Sequence, residues 1–91
     1  ALPISVKKAD IRKGQTVLVV GQGPIGLLLT QLARWAGAEV LASDTMPDRL
    51  EMSRRCGATP IDALGDVVKE VRGMTGGRGA DRTILAIALV R

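Results

Sequence analysis

Gly21, Gly23 and Gly26 stand in the order Gly-x-Gly-x-x-Gly, directly after the apolar run TVLVV at residues 16–20. Glycines at this spacing serve one kind of chemistry, the approach of backbone N–H groups to a pyrophosphate. Gly21 permits a tight turn off a strand, Gly23 leaves no side chain between backbone and phosphate, and Gly26 lets the next helix pack close to that strand. The helix N-terminus adds N–H groups without intrahelical acceptors and the positive end of the helix dipole. Pro24 suits the first helical turn, where its missing N–H is no loss, and Ile25 shares that turn. Asp44 lies 18 residues beyond Gly26, at the end of a second apolar run. A carboxylate there can accept hydrogen bonds from adenosine ribose hydroxyls and repels a 2′-phosphate, which favours NAD over NADP. The stretch DTMPD at 44–48 also reads as a helix start, so Asp44 has a turn or capping reading as well. Arg49 could reach the ribose or a phosphate, although an Arg this early in a helix is usually solvated.

These residues need elements to hold them. Residues 16–20 form a continuous β-branched and Leu run, the pattern of a strand covered on both faces. Ile25, Leu28, Leu29, Leu32, Ala33 and Ala36 recur at helical spacing, and Gly37 ends that helix. A second strand is expected over 39–43, and a second helix over 45–56, stopped by Gly57. A weak third strand is expected over 58–61, at a sheet edge because Pro60 cannot donate to a ladder. A third helix over 66–74 would turn Val67, Val68, Val71 and Met74 inward. A glycine-rich turn over 75–79 leads to a fourth strand, apolar on both faces, over 83–90. Residues 3–9 read as a short helix after Pro3. Strand–helix three times and then a strand is an α/β pattern. The expected architecture is a partial Rossmann doubly wound parallel sheet in strand order 3-2-1-4 with crossover helices, one domain over 1–91.

Composition narrows the function classes. The chain has 91 residues and a net charge of +4, from 13 basic and 9 acidic residues spread along the sequence. Nucleic-acid binding would want a clustered basic stripe with aromatics to stack bases, and Trp35 is the only aromatic. One cysteine, Cys56, and no histidine give neither an internal disulfide nor a metal cage. No run reaches the ~18–20 apolar residues of a membrane span. The first residues, ALPISVKK, lack the basic start and long apolar stretch of a signal peptide. The expected setting is cytoplasmic, with no nucleic-acid or membrane partner.

The stretches IRKGQTVLVVGQGPIG (11–26), QLARWAGAEV (31–40), DTMPDRLEMSRRCGATPID (44–62) and DVVKEVRGMTGGRGAD (66–81) together give the chain a family likeness. It resembles the nucleotide-binding domain of medium-chain dehydrogenases of the zinc alcohol dehydrogenase type, and polyol, threonine and other secondary-alcohol dehydrogenases look most similar. The resemblance implies hydride transfer between NAD and an alcohol or carbonyl. It also implies a catalytic zinc in a separate lobe, held by Cys, His and an acidic residue, none of which has a position here. Only cofactor residues carry over: Gly21, Gly23, Pro24, Ile25, Gly26, Asp44 and Arg49. Where the family follows its fourth strand with an acidic residue and a glycine, this chain has Leu85 and Ala88.

The expectation is therefore a fragment of a larger dehydrogenase, one that binds NAD weakly without turnover by itself. It would self-associate through the apolar edge of its fourth strand. Two other readings stay open: a non-catalytic dinucleotide-binding module, and the FAD-binding segment of a flavin monooxygenase. Against the second, Asp44 stands where FAD enzymes more often place Glu.

Overall fold

The computed structural model describes residues 10–86. Its elements alternate: β1 (Thr16–Val20), α1 (Pro24–Trp35), β2 (Glu39–Asp44), α2 (Pro47–Arg55), β3 (Thr59–Asp62), α3 (Val67–Met74) and β4 (Arg82–Leu85). The four strands form one parallel sheet in the order β3-β2-β1-β4. This is the expected Rossmann-like order. The proposed helix over 3–9 and the end of the fourth strand beyond 86 lie outside the described residues.

The sheet is covered on both faces, as alternation along β1 requires. Val17 and Val19 join Ala33 of α1 and Val40 and Ala42 of β2 in one buried cluster. Leu18 points the other way, to Leu41, Ile61 and Val71 of α3. Full burial of such aliphatic side chains contributes roughly 1.5–3 kcal/mol each. With no Phe or Tyr in the chain, these aliphatic contacts make up the core.

Helices α1 and α2 end alike. Gly37 N donates to Arg34 O (2.9 Å) and Ala38 N to Ala33 O (3.1 Å). Gly57 N donates to Arg54 O and Ala58 N to Ser53 O, both at 3.0 Å. Gly37 takes φ +93°, the left-handed conformation such an ending needs. Each ending returns the chain at once into the next strand. Ala58 is committed to this bond, so β3 starts at Thr59, one residue later than expected. β3 is an edge strand, as Pro60 suggested. Asp66 caps α3, its Oδ1 accepting from Lys69 N at 3.1 Å.

One expected orientation is wrong. On α3 Val71 is buried and Val67 half-buried, but Val68 and Met74 are exposed. α3 meets the sheet through Val71, which packs on Leu18, Leu41 and Ile61, and through Val67, so only one narrow stripe of it faces the sheet. At the start of β4, Asp81 ties the strand to β1. Its N donates to Thr16 O (2.8 Å) and its Oδ2 accepts from Thr16 N (2.7 Å).

Candidate dinucleotide site

All four strands run in one direction, so their carboxyl ends share one edge of the sheet. There Val20 is in register with Ser43 and with Leu85, and Asp44 with Asp62. A cleft of about 780 Å³ opens at this edge. Its walls include Gly21, Gly23, Pro24, Ile25, Asp44 and Arg49, with Ile84, Leu85 and Ala86 on the β4 side. The structure thus brings together six of the seven residues singled out in the sequence. Gly26 lies behind the wall and shapes it.

The turn is built from its backbone outwards. Gly21 N donates to Ser43 O (2.8 Å), extending the β1–β2 ladder by one bond, and Gly21 then takes φ +94°. Only glycine takes that conformation without strain. Gly23 caps α1 with extended backbone and no side-chain hydrogen bond, and no acidic residue lies in the helix's first turn. The N–H groups of Ile25 and Gly26 therefore stand at a helix end that favours an anion. A Cβ on Gly23 would meet only the Arg49 guanidinium, at 3.7 Å, and would project into the cleft. A Cβ on Gly26 would overlap the Gly21 carbonyl oxygen and stand 2.8 Å from its carbon. The two glycines thus do different things: Gly23 leaves room for a ligand, and Gly26 leaves room for the protein itself.

Asp44 is 8% exposed at the end of β2. Its Oδ2 accepts from Gln22 N (2.7 Å) and its Oδ1 from Met46 N (2.9 Å), so one carboxylate joins the glycine turn to the start of α2. Burial by itself would raise its pKa. The backbone N–H groups of Gln22, Met46 and Thr45, together with the Arg49 guanidinium 3.7 Å from Oδ2, outweigh that and hold it below the usual carboxylate range. An ionised carboxylate offers about four lone-pair sites. The N–H groups of Gln22 and Met46 lie within hydrogen-bond distance, one on each oxygen, and do not exhaust those sites. The turn reading of Asp44 is therefore correct as far as it goes, and it leaves acceptor capacity over. The helix itself begins at Pro47, with Met46 as its N-cap, rather than at 45.

Sequence reasoning passed over Gln22, which occupies the first variable position of the glycine motif and is fully buried. It also passed over Thr30 and Ser53, both buried. Their signal was present as polar residues inside buried helical faces. Thr30 falls in the stripe Gly26, Leu29, Thr30, Ala33, and Ser53 is the buried residue of α2. Thr45 and Ala63 add to the wall of the cleft as neighbours of the strand ends.

The sequence pattern of the family described as "Zinc-binding dehydrogenase" matches residues 24–89. The chain belongs to the zinc-binding dehydrogenases. Among curated relatives, an "Alcohol dehydrogenase" from Cupriavidus necator is 46% identical over 84 residues, covering 89% of this chain and 23% of that protein. The "D-guloside 3-dehydrogenase" of Escherichia coli is 43% identical over 79 residues, covering 84% of this chain and 23% of that protein. A solved alcohol dehydrogenase from Thermus sp. ATN1 superposes with a TM-score of 0.91 at 34% identity, over 97% of this chain and 26% of that one. The chain thus spans about a quarter of the length of these relatives. The likeness to medium-chain, zinc-type alcohol dehydrogenases seen in the sequence is borne out.

The residues present do not fit the zinc of the family's name. The chain has no histidine and one cysteine, and among the described residues no three His, Cys, Asp or Glu side chains converge. Among those residues no helix is long and apolar enough to cross a membrane.

Proposed function

We propose that this chain is the NAD(H)-binding portion of an alcohol or polyol dehydrogenase, an oxidoreductase that exchanges hydride between NAD and an alcohol or carbonyl. The Asp44 carboxylate carries the reading. It is held ionised at the cleft wall by the backbone N–H groups of Gln22, Met46 and Thr45 and by the Arg49 guanidinium, and its roughly four lone-pair sites exceed the two backbone bonds from Gln22 and Met46. A vicinal diol with two O–H donors suits the two carboxylate oxygens, whereas a 2′-phosphate would bring negative charge against them. The family membership supports a dehydrogenase as the enzyme to which the cofactor belongs.

The residues fit the dinucleotide. Gly21, Gly23, Pro24, Ile25 and Gly26 form the phosphate cradle, in which Gly23 leaves open the space a Cβ would occupy. Asp44 takes the ribose hydroxyls, and Arg49 adds a positive charge beside them. When bound, NAD supplies the hydride acceptor. This chain's residues orient it and exclude water along the apolar wall at Ile84, Leu85 and Ala86. With its pKa held below the usual carboxylate range, Asp44 is a weak base and poorly matched to taking the proton of an alcohol near neutral pH. That proton transfer, and any zinc, belong to residues other than those described.

Calorimetric titration of the purified protein with NAD and with NADP tests the proposal. NAD is expected to bind at least tenfold more tightly than NADP. Equal affinities, or tighter NADP, would remove Asp44 from the ribose position. No binding of either would leave the cleft without its proposed ligand.

A further inference from the structure

Gln22 is completely buried, although it sits in a turn at the mouth of a cleft. Its Nε2 donates to Gly21 O at 3.1 Å. A carbonyl oxygen only accepts, so the nitrogen must face Gly21 and the Oε1 must face the helices. Thr30 of α1 donates its hydroxyl to that Oε1 (3.1 Å), and the Ser53 hydroxyl of α2 lies 2.8 Å from it. Ser53 also stands 2.9 Å from Arg49 O and has a single proton to divide between the two acceptors. The backbone N–H of the same Gln22 goes to Asp44 Oδ2. One residue therefore touches the glycine turn, the end of β2, and both helices that flank the cleft.

The contact with α2 matters most. Ser53 lies one helical turn beyond Arg49, so fixing Ser53 fixes where Arg49 leaves the helix. Arg49 then stands 3.7 Å from Asp44 Oδ2 and at the same distance from the position of a Cβ on Gly23. Ser53 is the one fully buried residue of α2, with Leu50 half-buried and Met52 and Arg49 exposed, so the Ser53 hydroxyl is the polar anchor of this register beside the apolar side chain of Leu50. The α1 contact acts on the other wall. Gly21 O, which receives the Gln22 amide, is the atom that closes most tightly on Gly26.

We propose that Gln22 is a positioning residue for the adenosine end of the cleft: its carboxamide sets α2 against the glycine turn through Ser53 and so holds Arg49 beside Asp44. This rests on the dinucleotide reading above and adds that affinity depends on a residue without a place in the cleft wall. The role differs from simple core filling. Core filling asks only for volume, whereas positioning asks for an acceptor that both hydroxyls can reach.

The test compares Gln22→Met with the wild type by NAD titration and thermal melting. About tenfold weaker NAD binding is expected, the size of one lost contact in a coupled network. Because two buried hydroxyls lose their acceptor, Gln22→Met should also melt lower. The combined variant Gln22→Met, Thr30→Val, Ser53→Ala removes the whole polar set and is expected to recover most of the melting temperature. NAD binding should stay weak in that variant; recovery of affinity along with stability overturns the positioning role. In an Arg49→Met background, Gln22→Met should cost little further affinity, and a second full tenfold loss would show that Gln22 does not act through Arg49. Wild-type protein that binds NAD, with Gln22→Met equally tight, overturns this inference alone. Wild-type protein that binds no NAD overturns the dinucleotide reading with it.

Discussion

Replacing Gly26 with alanine is expected to cost this domain on the order of 3 kcal/mol or more and most of its affinity for a dinucleotide. The added methyl would overlap the Gly21 carbonyl oxygen and lie 2.8 Å from the carbonyl carbon. Both are backbone atoms of the turn, and the Gly21 oxygen is already engaged by Gln22 Nε2. Neither partner can swing aside as a flexible side chain would. Helix α1 must back away from β1, loosening the contacts of Ala33 with Val17 and Val19 and spreading the phosphate cradle. For a domain of this size the loss corresponds to a fall in Tm of roughly 10–20 °C. Gly23→Ala is the control. Its Cβ would meet only Arg49, at 3.7 Å, an ordinary contact, and its backbone is already extended. That variant should melt within a few degrees of the wild type yet bind NAD poorly. Similar melting of wild type and Gly26→Ala would show that the close approach of α1 to the turn is not a constraint.

Asp44→Ser should weaken NAD binding by roughly 10- to 150-fold, since hydrogen bonds to a charged group contribute about 1.5–3 kcal/mol. NADP should change far less, because the 2′-phosphate no longer meets a carboxylate. The discrimination between the two cofactors therefore shrinks. The substitution also acts on the fold, as Gln22 N and Met46 N both lose their acceptor. Melting curves taken beside the titrations separate the two effects. A lower Tm with an unchanged ratio of NAD to NADP affinity would assign Asp44 to the turn alone.

Much of this site could be read before any coordinates. The apolar run of β1, the three glycines and the distance to Asp44 each reflect a strong local constraint. Connection rules for parallel strands then supplied the sheet order, since few arrangements satisfy them. Other features depended on relations that a linear pattern does not carry. Gln22 looked like a free position because the motif leaves it variable, and its burial follows from where two helices cross the turn. Thr30 and Ser53 interrupt their helical patterns as polar residues, and they read as noise until a shared acceptor is seen. Val68 and Met74 fit an apolar stripe on α3, but that helix meets the described sheet through Val71 and, in part, Val67. The start of α2 shifted to Pro47 because Asp44 binds Met46 N and closes a turn before the helix begins.

A crystal structure of the protein with NAD bound tests the central claim most directly. The account predicts the pyrophosphate against the Gly21–Gly26 turn, with both adenosine ribose hydroxyls about 2.5–2.8 Å from the Asp44 carboxylate. It also predicts that Asp44 keeps its bonds from Gln22 N and Met46 N, because the ribose takes the remaining acceptor sites. A dinucleotide seated elsewhere, or one at the turn with its ribose directed away from Asp44, would contradict it.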